Sequence, residues 1–207
     1  MVRASRREHV RCVIRSSLLR SMKTGDLLAF SGKSRTSRLI RWATRSPYSH
    51  VALIWRLSGL RFFNGVLVVI ESTTEAGLPD AVTHELRKGV QIHFLAQRVD
   101  AYHGAVWWVP LQRPLHRREE KAMAEWLQQA HCKRIPYDTA QAIGAGLDLF
   151  DHLGLQNEPD YSALFCSELV ARALQVAGLL DEAANPSEMT PQDVVSLELF
   201  GTPVRIK

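Results

Sequence analysis

From Cys166 onward, small or apolar side chains recur at Leu169, Val170, Ala173, Leu174 and Ala177. Those spacings of three and four residues draw one buried stripe along an α-helix. Gly178 closes the stripe as a C-terminal stop, and Asn157, Glu158, Pro159 and Asp160 ahead of it are loop formers. The pattern predicts a helix buried on one face, with Cys166 near its first turn. Unpaired backbone N–H groups and the positive dipole end at a helix start stabilise a thiolate. A sulfur so placed is a nucleophile with oxyanion donors beside it. A cysteine is also a good small apolar residue for closing a helix, and this stretch alone does not separate the two roles.

A helix of this kind needs a partner surface, and the chain supplies strands. Ser49-His50-Val51-Ala52-Leu53-Ile54-Trp55 and Val66-Leu67-Val68-Val69-Ile70-Glu71 are short apolar runs of strand length. Ser58, Gly59, Asn64 and Gly65 between them offer turn chemistry for a hairpin. Symmetric pairing about Leu60 and Arg61 sets His50 directly opposite Glu71, with Cβ atoms about 4.5–5.5 Å apart. A carboxylate beside an imidazole fixes its tautomer and stabilises the imidazolium. Taken singly, His50 reads as a strand-end histidine with a satisfied hydrogen bond and Glu71 as an exposed strand end. Taken with Cys166, they make a nucleophile, a base and an orienting group.

The other segments fill in an α+β pattern. Residues 7–21 predict a helix with Val10, Val13, Ile14 and Leu18 on one face; Leu27–Phe30 predicts a strand, and a helix follows over 38–44. Val90–Leu95 and Ala105–Val109 predict strands joined by a polar piece around Gln97–Tyr102. Arg117–Cys132 and Thr139–Leu153 predict helices, Thr190-Pro191-Gln192-Asp193 a helix start, and Pro203–Ile206 a last strand. Gly32-Lys33-Ser34 lacks the earlier glycine of a phosphate loop, because Leu27 stands there. His84, His93, His103, His116, His131 and His152 fall in separate elements without metal-ligand spacing and default to surface or core roles. Neither a metal site nor a cofactor is expected.

Charge is unevenly spread. Residues 1–45 hold 12 Lys and Arg against Glu8 and Asp26, a net of +10, while residues 46–207 hold 14 against 19, a net of −5. A basic segment on an acidic body suggests an anionic partner surface, membrane or cell wall; a solvated basic face would look the same. No nucleic-acid motif accompanies it. The three cysteines, Cys12, Cys132 and Cys166, have unrelated spacings and imply no disulfide framework. No apolar run reaches the ~20 residues of a membrane span, and the basic start lacks a signal peptide's apolar core. The expectation is a cytoplasmic location, with any export by another route.

Gly25-Asp26-Leu27-Leu28-Ala29-Phe30, Pro47-Tyr48-Ser49-His50-Val51-Ala52-Leu53, Glu71 and Phe165-Cys166-Ser167-Glu168-Leu169-Val170 together resemble the circularly permuted NlpC-type papain-like cysteine hydrolases, YiiX-like proteins among them. In the unpermuted order the cysteine helix precedes the histidine strand; here His50 comes first. The resemblance covers about residues 22–200 and implies a permuted papain-like catalytic domain over 22–207, its antiparallel sheet packed on the cysteine-bearing helix. The basic helical extension at 1–21 falls outside it. By the same resemblance Cys166 is the nucleophile, His50 its base and Glu71 the group that orients His50. Pro136-Tyr137-Asp138 is similar to a family segment whose tyrosine, here Tyr137, lines the oxyanion region. The implied activity is hydrolysis through an acyl-enzyme, first of cell-wall peptide amide bonds. A lipid acyl hydrolase or acyltransferase is the second enzymatic reading, and an inactive papain-like binding domain is the non-enzymatic one.

Overall fold

The computed structural model describes residues 14–34, 37–38, 41–42, 45–58, 65–134 and 162–207. Its centre is a six-stranded antiparallel sheet: β1 (Leu27–Gly32), β2 (His50–Arg56), β3 (Leu67–Thr73), β4 (Gly89–Phe94), β5 (Gly104–Val109) and β6 (Val204–Arg205), in the order β4-β3-β2-β1-β5-β6. Gly25, at φ 92°, makes the turn into β1, a conformation that a side chain would strain.

Both faces of the sheet are covered, which is why β1 and the middle of β2 read as unbroken apolar runs. On one face lie the helices α3 (Arg117–Cys132) and α4 (Ser162–Val176), over Leu27, Ala29, Val51, Leu53, Ile70 and Val109. The other face, carrying Leu28, Phe30, Ala52, Ile54 and Val69, is closed by α2 (Leu95–Ala101) through Leu95 and Val99. The same core takes Ile14, with Leu18 and Leu19 of α1 (Ser16–Ser21) against it. Arg56 fastens the end of α1 by donating to the carbonyls of Leu19 and Met22, both at 2.6 Å. The short helix α5 (Pro191–Val195) starts at Thr190, whose hydroxyl accepts from the Asp193 N–H.

Three expectations change. The polar piece around Gln97–Tyr102 is largely helix, α2, entered directly from β4. Leu95, Val99 and Tyr102 keep to one side of it, and their burial decides the conformation over the polar residues between. The hairpin register is displaced by two residues: β3 pairs Ile70 with Leu53, where symmetry about Leu60 and Arg61 required Val68. Cys166 is the fifth residue of α4 and so stands a turn inside the helix, behind its opening N–H groups. The helix expected over 139–153 and residues 7–13 of the one expected over 7–21 lie outside the described residues, and the rest of the latter contains α1.

A buried carboxylate holds the loop between β3 and β4. Asp80 accepts from the backbone N–H groups of Val82 (2.9 Å), Thr83 (2.8 Å) and Ile92 (2.8 Å), and from His131 Nε2 of α3 at 2.9 Å. Arg87 stands 3.6 Å away. These donors tie loop, strand and helix together at one point.

Candidate active site

A two-residue register shift leaves strand faces unchanged, because side chains alternate with a period of two. Continuing the observed pairing puts Ala52 opposite Glu71, so His50 lies on the diagonal, which imidazole and carboxylate side chains are long enough to span. His50 Nε2–H donates to Glu71 Oε2 at 2.6 Å. Across the other edge of β3, Glu71 stands opposite Gln91, and His93 on that diagonal donates from Nδ1 to Glu71 Oε1 at 3.0 Å. Glu71 thus sits between two histidines, one from each neighbouring strand.

Strict alternation would put His50 on the face of Ala52 and Ile54, away from α4. The ladder is irregular where β2 begins: Phe30 is aligned with His50, yet its carbonyl takes the Ser49 N–H at 2.8 Å. Irregular strand entries of this sort re-aim side chains. At this end of the sheet the Cys166 side chain hydrogen-bonds His50. With Nε2 given to Glu71, the ring nitrogen left for the sulfur is Nδ1. Cys166, His50 and Glu71 therefore form one continuous chain of polar contacts. Cys166 and Glu71 are fully buried, and His50 keeps slight exposure.

Arg98 of α2 completes the cluster. Its Nε and Nη2 clasp Glu71 Oε1 and Oε2, the latter at 2.9 Å, and Nη1 reaches Glu75 Oε2 at 3.0 Å. The guanidinium lies over the rings of Phe30 and Tyr102 at 5.1 and 5.2 Å from their centroids. Gly32 lets the backbone pass here, since a Cβ would collide with the Ser37 side chain and meet Tyr102 Oη at 3.0 Å. A cleft of about 820 Å³ opens over Arg98 and His93, with Gly32, Thr73 and Tyr102 in its walls.

Charges in the cluster support one another. Burial opposes ionisation of Glu71, but Arg98, His50 and His93 outweigh it and hold the carboxyl well below its usual range. Burial likewise opposes a charged His50, but the Cys166 sulfur and then Glu71 outweigh it, pushing His50 up to about 10. This favours the charged, imidazolium form of His50.

The structure brings together three of the four site residues read from the sequence, Cys166, His50 and Glu71; Tyr137 lies outside the described residues. Sequence reading passed over His93 and Arg98. Gln91 and His93 alternate with apolar neighbours as on a solvent-facing strand, and Arg98 lies in a helix of less than two turns, so neither residue carried a clear signal.

No protein-family model and no curated protein sequence matches the chain. Among solved structures, it is similar to the crystal structure of the metalloprotein YiiX from Escherichia coli O157:H7, a DUF1105 protein. The TM-score is 0.55 at 18% sequence identity, over 88% of this chain and 96% of that one. The chain has a YiiX-like fold. As to a metal, no group of three or more His, Cys, Asp or Glu among the described residues is arranged to hold one. Both Glu71 oxygens are already committed to Arg98 and the histidines. These residues do not offer a cation site. No helix among the described residues is long and apolar enough to cross a membrane.

Proposed function

We propose that the chain is a permuted papain-like cysteine hydrolase with Cys166 as nucleophile, His50 as acid and base, and Glu71 as the group that orients His50. One observation carries the reading: a buried cysteine one turn into α4 hydrogen-bonds a histidine whose other ring nitrogen is held by a buried carboxylate. A core cysteine needs no such partner, and a structural histidine needs no sulfur.

The chemistry follows from the parts. The Cys166 thiolate attacks a carbonyl carbon, and the carbonyl electron pair moves to oxygen. The positive end of the α4 dipole favours the charge that develops there. Collapse of the tetrahedral intermediate breaks the bond to the leaving group, which takes its proton from His50, leaving an acyl thioester on Cys166. His50 then removes a proton from water, hydroxide attacks the thioester, and a carboxylic acid departs as the thiolate re-forms. The substrate class we favour is the peptide amide of the cell wall, with the basic side chains of the N-terminus, Arg3, Arg6, Arg7 and Arg11 among them, as the means of holding an anionic surface.

Incubation with purified peptidoglycan fragments and, separately, phospholipid vesicles, followed by mass analysis, tests this. A stem-peptide amide cleaved with uptake of one water supports the reading. A released fatty acid would move the enzyme to lipid esters. Absence of either product, with a thiol probe that labels Cys166 no faster than Cys132, would leave a binding domain.

A further inference from the structure

Glu71 is out of contact with solvent, and each hydrogen bond it accepts through its carboxylate oxygens comes from a side chain: His50 of β2, His93 of β4, and Arg98 of α2 twice. Among the described residues, the other charged or titratable groups nearby face Arg98 or His50. Glu75 and Tyr102 meet the guanidinium, and Cys166 meets the imidazole. Glu75 is mostly exposed, so water screens its charge. The buried charge on Glu71 is therefore balanced by Arg98.

That balance sets what His50 experiences. A lone buried carboxylate would take the imidazolium as its counter-ion and hold the proton that a leaving group needs. With Arg98 in place, the Arg98–Glu71 pair is neutral, and the imidazolium is left to balance the Cys166 thiolate. We propose that Arg98 is a positioning residue that makes Glu71 a charge-neutral orienting group, so that the pair acts here as the uncharged amide does in a Cys–His–Asn triad. The inference rests on the Cys166–His50 reading above. The two-pronged contact suits the role, because a guanidinium fork fixes a carboxylate in plane as well as in charge. The flanking rings of Phe30 and Tyr102 hold the fork still.

The test is the pH dependence of iodoacetamide alkylation, mapped by mass spectrometry to Cys12, Cys132 and Cys166, with melting temperature measured alongside. In the wild type Cys166, in contact with His50, reacts faster than Cys12 and Cys132. In Arg98→Met, burial of Glu71 is unopposed by a guanidinium, so its carboxyl protonates earlier. The acid limb of Cys166 alkylation then moves up by about 1–3 pH units, the span a neighbouring arginine commands. Glu71→Gln strands a buried guanidinium and lowers both reactivity and melting temperature. Glu71→Gln/Arg98→Met removes that stranded charge, leaves an amide beside His50, and recovers part of both losses.

A folded Arg98→Met variant with the wild-type acid limb overturns the proposal. A double variant no better than Glu71→Gln alone overturns it too. If neither Arg98 variant folds, Arg98 serves the fold independently of Glu71, and the proposal is again overturned. Wild-type Cys166 reacting no faster than Cys132 is a different failure, of the hydrolase reading itself, and this inference falls with it.

Discussion

Glu71 and Asp80 are both buried carboxylates, each bonded to a histidine and each near an arginine, yet their surroundings differ in kind. Asp80 is held mainly by backbone N–H groups of its own loop and of β4. Glu71 is held by side chains from two strands and a helix. Backbone donors fix the path of the chain, so the Asp80 cluster is a staple. Side-chain donors leave the chain path to the sheet and fix the orientation of the groups themselves, and one of those groups, His50, touches Cys166. Buried charge with a histidine therefore does not by itself mark a site; what the second ring nitrogen meets does. For His50 it is a sulfur.

The largest effects that would break this comparison are catalytic. Cys166→Ala and His50→Ala should each lower turnover by roughly 10⁴-fold or more, since members of a catalytic unit fail together. The Cys166 variant should stay folded, because little packing volume is lost. Circular dichroism beside the activity assay checks both points. Asp80→Ala should reverse the pattern. Removing one partner from a buried ionic cluster costs about 3–5 kcal/mol of stability, read as a melting-temperature fall of about 6–20 °C, while kcat/KM per folded molecule stays at the wild-type level. Loss of turnover in a folded Asp80→Ala protein would erase the distinction between staple and site.

How much of this was legible in the sequence depended on which periodicity survived error. The Cys166 stripe was readable because its apolar residues keep helical spacing for three turns. The His50–Glu71 pairing survived a register error of two residues, since such a shift preserves faces and leaves the pair on a diagonal. An error of one would have separated them. Arg98 was not legible. Strand β4 runs into α2 with no turn residue between Phe94 and Leu95, and a seven-residue helix shows less than two turns of pattern. His93 and Gln91 alternate with apolar neighbours as a solvent-facing strand would. Tertiary neighbours bury them: Gln91 donates to the Glu75 and Arg87 carbonyls, and His93 meets Glu71 and the Leu78 carbonyl.

Acid pH sharpens the contrast. Both carboxyls are held below their ordinary values of 4.5 for Glu71 and 3.8 for Asp80. Burial opposes this in each case and is outweighed, by Arg98 and the histidines at Glu71 and by backbone donors and His131 at Asp80. A lowered folded pKa contributes stability that is present above the unfolded value and lost as pH falls through the folded one. Melting temperature should therefore drop as pH is lowered below about 4, and Asp80→Asn and Glu71→Gln should each flatten that slope. Only Glu71→Gln should also change the acid limb of Cys166 alkylation. His50 runs the other way: its raised pKa gives stability that is full below 6.5 and lost as pH rises through about 10. Melting curves in that alkaline window should lose part of their slope in Cys166→Ala, which lacks the anion that holds the proton.

The smallest expected difference is the most discriminating. His93→Leu and His131→Leu each delete one histidine donor from one buried carboxylate, Glu71 in the first case and Asp80 in the second. By stability alone the two should look alike, each losing about 1.5–3 kcal/mol, the range for a hydrogen bond to a charged group. By reactivity they should differ. With His93 gone, Glu71 keeps Arg98 and His50, so its carboxyl titrates at a slightly higher pH and the acid limb of Cys166 alkylation follows, by less than in Arg98→Met. With His131 gone, Asp80 loosens α3 from the loop, while the hydrogen bonds that join Arg98, Glu71 and His50 stay in place. The alkylation profile of His131→Leu should overlay the wild type. Matching profiles in both variants would make His93 a structural residue like His131 and restrict the orienting cluster to Arg98, Glu71 and His50.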